Sequence, residues 1–133
     1  MTYHFIDHTA DIGIRVVSGD LRGLFEEAAQ ALVDIMGARS TKGRDHERIS
    51  VEGLDQTDVL VRWLQELLYR IEVKDLRISH VEVLEVNSKG LTALVCGTKT
   101  RTELQQEIKA VTYHNLEIQE VDNHVEITII FDT

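Results

Sequence analysis

The spacing of apolar residues along the chain predicts two amphipathic helices. Apolar residues recur at intervals of three and four over residues 20–36 and again over about residues 56–73, the pattern of a helix with one buried face. Asp20 precedes the first stripe, and its side chain is of the type that caps helix N-termini. Gly37 follows the same stripe, where glycine commonly ends a helix. Asp55 or Thr57 is expected to cap the second helix.

The remaining apolar residues alternate with polar ones or form short runs, which predicts strands. The predicted strands are residues 3–6, 13–17, 48–52, 77–86, 91–99, 112–120 and 124–131. Residues 87–90 (NSKG) and 121–123 (VDN) separate pairs of these strands as hairpin turns, and residues 38–45 form a polar loop. Two helices among so many strands predict an α+β fold, a single domain over residues 1–133 with a mainly antiparallel β-sheet.

The composition restricts the classes of function. The net charge is −9, with 14 Lys and Arg residues among 23 acidic ones, so we expect no tight direct binding to nucleic acid. An excess of acidic residues is compatible with binding a divalent cation. If the protein takes part in RNA biology, we expect it to act through another protein. There is no apolar run near the roughly 18 residues of a membrane span and no secretory signal. The single cysteine, Cys96, cannot form an internal disulfide, which fits a reducing compartment. Together these features predict a cytoplasmic protein that does not bind membranes.

Polar residues with possible chemistry concentrate near the start of the chain. His4 and His8 are four residues apart, a spacing that suits two zinc ligands on a helix, but this stretch lacks helical periodicity. The alternative is a polar turn that includes Asp7 and Thr9, in which the side chains hydrogen-bond the backbone. Spacing alone favours that second interpretation. Asp11 lies just before a predicted strand, where a buried polar group would need partners.

The other end of the sequence also carries charge. An apolar strand runs directly into Asp132 and Thr133, so a carboxylate side chain and a terminal carboxylate would lie side by side. Such groups repel each other unless water or a cation bridges them, and ligands that are all oxygen select calcium or magnesium. A solvated tail is the alternative, and the residues alone favour it.

Several other residues have side chains that could take part in chemistry. Lys109 and His114, with Tyr113 between them, could serve in acid–base work or simply hydrogen-bond at a strand entrance. Cys96 lies between apolar residues, which predicts a buried packing role, and Trp63 lies on the apolar stripe of the second helix, which predicts a core position. No glycine-rich phosphate loop, serine elbow or CxxC pair is present.

Five blocks of the sequence together resemble the archease family. They are residues 8–14 (HTADIGI), 24–29 (LFEEAA), 63–69 (WLQELLY), 107–114 (EIKAVTYH) and 130–132 (IFD). The blocks occur in the order found in the family and span nearly the whole chain. The first, fourth and fifth blocks are specific to the family, whereas the two helix blocks alone would be weak evidence for it.

The resemblance implies a compact α+β protein that is not itself an enzyme. It implies a partner, an RtcB-type RNA ligase, whose guanylylation and turnover the protein promotes in tRNA splicing or RNA repair. It also implies a divalent metal, with calcium the expected ion, held by Asp11, Asp132 and Thr133. Many members end in an aliphatic residue where this chain has threonine, a change that a main-chain or terminal oxygen ligand would tolerate.

Two other functions remain open at this point. One is a chaperone-like adaptor for tRNA-modifying enzymes, an older proposal for the family. The other is a small metal-dependent hydrolase that uses a metal-bound water. The hydrolase would need a base beside the metal, for which His8 and His114 are the only attractive choices.

Overall fold

A computed structural model describes residues 2–6, 11–113 and 116–133 of the chain. Two helices and eight strands follow one another along these ranges, which confirms the predicted α+β class. The elements are β1 (Thr2–Ile6), β2 (Ile12–Ser18), α1 (Leu21–Met36), β3 (Asp45–Glu52), α2 (Gln56–Glu72), β4 (Leu76–Asn87), β5 (Gly90–Lys99), β6 (Ala110–Val111), β7 (Gln119–Val121) and β8 (His124–Asp132).

Both helices begin and end as the sequence predicts. The Asp20 side chain accepts a hydrogen bond of 2.7 Å from the Gly23 N–H, and Asp55 caps α2 in the same way. Gly37 takes the left-handed conformation, with φ +69°, that ends α1. Trp63 is fully buried, as predicted, and its Nε1–H donates to the Phe25 carbonyl at 3.0 Å, which joins α2 to α1. Neither helix in the described ranges has the length and apolarity needed to cross a membrane.

The strands form two sheets in which every strand pair is antiparallel. One sheet has the order β1-β2-β8-β6, with β7 also paired to β8, and the other has the order β3-β5-β4. Helix α1 packs against β2 of the first sheet and β4 of the second, and α2 packs against the second sheet and β6. The helices therefore bury one face of each sheet in a common core. The opposite faces remain available to solvent or to a partner.

Two of the predicted strands need correction. Residues 112, 113 and 116–118 lie outside the strands, so the prediction of one strand over 112–120 is wrong. Instead, the two short strands β6 and β7 pair with opposite ends of β8. Strand β3 begins at Asp45, three residues before its predicted start. The pairing of β4 also shifts register twice, between Ile78 and His80 and between Val83 and Glu85, so its residues do not alternate regularly.

Cys96 was expected in the core, and that expectation is wrong. It alternates along β5 with the buried residues Val95 and Gly97, so its side chain lies on the face turned away from the helices. There it is half-buried, and its Sγ lies 3.1 Å from Nδ1 of His46 on the neighbouring strand β3. An apolar neighbourhood in the sequence did not show which face of the strand the thiol occupies.

The outer edge of β4 is covered by side chains of α1. The Val83 N–H donates to the Glu26 carboxylate at 2.8 Å, and the Arg22 guanidinium donates to the Leu84 carbonyl at 3.1 Å. Further along the strand, the Ile78 N–H donates to the Ala38 carbonyl at 2.8 Å. Backbone groups that an edge strand would otherwise expose are therefore already paired.

Candidate functional site

The pairing of β2 with β8 brings the two ends of the sequence together. Ile12 pairs with Phe131, so one further step in the same register places Asp11 opposite Asp132. Directly opposite residues of an antiparallel pair have Cβ atoms about 4.5–5.5 Å apart. Phe131 is buried and Asp132 is exposed, and alternation along β2 places Asp11 on the same outer face. Two aspartates 121 positions apart in the sequence, at 11 and 132, are thus neighbours.

The position of Asp132 is fixed from its other side by β6. Ala110 pairs with Asp132, and the Lys109 N–H donates to the Asp132 carbonyl at 2.7 Å. The Thr112 N–H donates to the Ile130 carbonyl at 2.9 Å. Asp132 is therefore the last residue of an internal strand and is held by pairing, although the residue is exposed, so a free tail does not describe it. Lys109 enters the site through its backbone, and its side chain is exposed.

The groups at this edge are oxygen donors. Asp11 and Thr133 are half-buried, and the Asp132 side chain is exposed beside them. In the described part of the chain, no group of three His, Cys, Asp or Glu side chains could hold a metal ion. The predicted set contains two such side chains, and its third member, Thr133, would contribute a main-chain oxygen. Carboxylate and main-chain oxygens fit a hard cation such as calcium or magnesium and do not suit zinc.

The histidines proposed from the sequence are only partly placed. His4 lies in β1 opposite Arg15, and its Nε2 is 3.4 Å from the Thr2 hydroxyl. Asp7, His8, Thr9 and His114 lie outside the described residues. The structure therefore does not test the choice between a polar turn, which the sequence favours, and a zinc pair of His4 and His8, nor the two candidate bases of a hydrolase.

Sequence reasoning missed a polar cluster that holds the segment before His114. Asp58 lies in the first turn of α2, and it is only 8% exposed. Its carboxylate accepts hydrogen bonds from the Tyr113 hydroxyl at 2.8 Å, the Leu54 N–H at 2.8 Å and Arg62 Nε at 3.0 Å. The bond from Leu54 and that from Tyr113 lower the pKa of Asp58, against the effect of burial. The segment that follows β6 is thereby attached to the start of α2.

Tyr113 combines this anchored hydroxyl with an exposed ring. Burial, followed by the hydrogen bond to Asp58, raises the pKa of its hydroxyl, so it stays protonated as the donor. Its side chain is nevertheless 55% exposed, and Phe5 near the end of β1 is 66% exposed. Phe5 pairs with Ile14, three residues along the chain from Asp11. Because it lies opposite the buried Ile14, Phe5 is on the helix side of the sheet, whereas Asp11 and Asp132 are on the outer face.

Comparison with known proteins gives one consistent family. Residues 3–133 match the model of the Archease protein family (MTH1598/TM1083). The chain is 35% identical to the protein archease of Archaeoglobus fulgidus, over 99% of both chains. It is 30% identical to the protein archease of Sulfurisphaera tokodaii, over 98% of this chain and 97% of the other.

Two solved structures have the same fold. The solution structure of protein 1598 from Methanobacterium thermoautotrophicum superposes with a TM-score of 0.80 at 29% identity, over 98% of each chain. The crystal structure of an archease and possible chaperone from Thermotoga maritima superposes with a TM-score of 0.67 at 23% identity, over 96% of this chain and 94% of that one. At that identity the second likeness concerns the fold alone.

Proposed function

The chain belongs to the archease family, and on this premise we propose that it is a metal-binding activator of an RtcB-type RNA ligase. It would promote guanylylation and multiple turnover of that ligase in tRNA splicing or RNA repair, and would catalyse no reaction itself. The observation that best supports the proposal is the pairing that makes Asp11 and Asp132 neighbours on an outer sheet face. Two carboxylates held side by side by strand pairing repel each other unless water or a cation bridges them.

A divalent cation would relieve that repulsion. In the proposal Asp11, Asp132 and a main-chain oxygen of Thr133 hold calcium, whose preferred ligands are carboxylate and carbonyl oxygens. A cation held this way supplies a local positive charge at an acidic surface. Thr112 Oγ1 nearby is a buried hydroxyl with no hydrogen-bond partner among the described residues, and such a group is suited to a bridging water.

Exposed aromatic residues near the ends of β1 and β6, in the sheet whose edge carries the aspartates, suit a protein partner. Phe5 and Tyr113 offer exposed aromatic rings, a residue type enriched at the energetic centres of protein interfaces. The anchoring of the Tyr113 hydroxyl by Asp58 fixes the position of one ring before any partner arrives, which lowers the entropy lost on binding. We therefore propose that the ligase contacts this edge of the five-stranded sheet.

The direct test is the guanylylation of a cognate RtcB-type ligase, measured in single and multiple turnover with and without this protein. Wild type should raise the rate or permit repeated turnover, and Asp11→Asn should lose most of that stimulation. The matched control is Asp122→Asn, which removes the same charge at the far turn of β8, where the positive φ of 46° also suits asparagine. Equal ligase rates with and without wild-type protein would contradict the proposal.

The same measurements separate the two alternative functions. Turnover of phosphoester or nucleotide substrates by the purified chain alone would favour the hydrolase. Rescue of unrelated aggregating proteins without metal would favour the chaperone-like adaptor. The activator requires stimulation that depends both on the ligase and on Asp11.

A further inference from the structure

An open pocket of about 350 Å³ lies at the end of the three-stranded sheet, in a different sheet from Asp11 and Asp132. Three cationic residues and five hydroxyl residues line it, and its described lining contains no carboxylate. The cations are Arg39, Lys42 and Arg77. In a chain of net charge −9, a pocket lined in this way is an exception to the overall composition.

Long-range contacts build the pocket from three separated segments. The Ser40 N–H donates to the Ile78 carbonyl at 3.0 Å, which ties the loop after α1 to β4. The Thr98 hydroxyl donates to the Lys42 carbonyl at 3.0 Å, which ties the same loop to β5. Arg77 Nε donates to the Thr102 hydroxyl at 2.6 Å, which adds the segment after β5. The cations are therefore gathered by the fold and do not form a run in the sequence.

Arg77 is a buried cation of this pocket, and its partners in the described part of the chain are all neutral groups. Its side chain donates to the carbonyls of Ile71, Leu76 and Thr102 and to the Thr102 hydroxyl, and the residue is only 3% exposed. None of its partners within the described ranges is a carboxylate. A buried charge paired only with neutral groups favours an anion nearby, since in a low dielectric the attraction is strong.

Other groups remain available to a ligand. Lys42 is exposed, and in the described part of the chain its ammonium group makes no ion pair or hydrogen bond. The Thr102 hydroxyl accepts from Arg77, so its own proton is left to donate elsewhere. Arg39 contributes less, because its guanidinium is already bound to the Asp34 carboxylate at 2.9 Å.

We propose that this pocket binds a phosphate group carried by a small molecule. Ammonium, guanidinium and hydroxyl donors around one cavity are the groups that bind phosphate oxygens. A cavity of about 350 Å³ has room for one phosphate and a sugar. The charge of −9 repels a long polyanion, which favours a small phosphate ester over the backbone of a polynucleotide.

Nuclear magnetic resonance on isotope-labelled full-length protein tests the proposal. Inorganic phosphate, adenosine monophosphate and a short single-stranded RNA are titrated separately, with sodium chloride at matched ionic strength as the salt control. Phosphate and the monophosphate should give saturable shifts in the amides of residues 39–42 and 98–102. Lys42→Gln should weaken that binding roughly tenfold, the effect of losing one charged hydrogen bond.

The matched control is Lys89→Gln, which removes the same charge at the opposite end of the sheet, in the turn between β4 and β5. It should leave phosphate affinity unchanged. The proposal is overturned if sodium chloride alone reproduces the shifts, if none saturate, or if the two lysine variants bind phosphate equally well. Tighter binding of the RNA than of the monophosphate overturns the assignment to a small ligand.

Discussion

Replacing Gly97 with alanine should strongly destabilise the fold, because the added methyl group has no room. A Cβ built on Gly97 lies 2.1 Å from the Arg77 carbonyl oxygen on the neighbouring strand. That atom belongs to the backbone of β4, directly before the register shift at Ile78, so relief requires the two strands to move apart by roughly an ångström. Overpacking of this kind costs about 2–3 kcal/mol, at the upper end of the usual range.

For a chain of this size, that cost corresponds to a fall in melting temperature of roughly 6–15 °C. Thermal unfolding followed by circular dichroism measures it, and urea unfolding gives the free energy independently. Gly19→Ala is the matched control, because a Cβ at Gly19 meets nothing within 4 Å, and its effect should stay within about 0.5 kcal/mol. If Gly97→Ala and Gly19→Ala have the same melting temperature, the close approach of β4 and β5 at Gly97 is wrong.

Three further predictions concern the metal site and pH. Asp11→Ala should lose most calcium affinity in calorimetric titration while its melting curve stays near that of wild type, and unchanged affinity would remove Asp11 from the site. If the ligand is a terminal carboxylate of Thr133, a C-terminal tag should weaken calcium binding and Thr133→Ile should not; abolition by Thr133→Ile would point to the hydroxyl. Burial raises the pKa of Glu47, but hydrogen bonds from Arg70 and Lys99 outweigh it and hold that pKa below its usual 4.5. The stability from Glu47 is thus present above pH 4.5 and lost as the pH falls through the lowered pKa, so acid should destabilise wild type more steeply than Glu47→Gln in melting curves.

The helices could be predicted closely because their signals are local. The caps at Asp20 and Asp55 and the stop at Gly37 depend on residues within one turn of each helix end. The proximity of Asp11 and Asp132 has no such local signal, because each resembles an ordinary polar residue at the end of a strand. Only the family resemblance connected them before the register of β2 and β8 was known.

What the sequence did not predict depends on long-range pairing. The replacement of one predicted strand by β6 and β7 follows from their pairing with the two ends of β8, and no periodicity within residues 112–120 indicates it. Cys96 was misplaced because apolar neighbours on both sides do not say which face a strand residue occupies. The burial of Asp58 could not be predicted, because helical spacing shows on which side of α2 it lies and not that the Tyr113 hydroxyl covers it.

The charged residues of α1 that cover β4 give the helix a protective role in addition to its place in the core. An incoming strand could add to this edge only by displacing Glu26 from the Val83 N–H and Arg22 from the Leu84 carbonyl. At 12 residues β4 is the longest strand in the described ranges, and so the largest template for chain-to-chain growth. Aggregation through this edge requires the two side chains to release it first, which makes the solubility of the heated protein depend on these contacts of one helix.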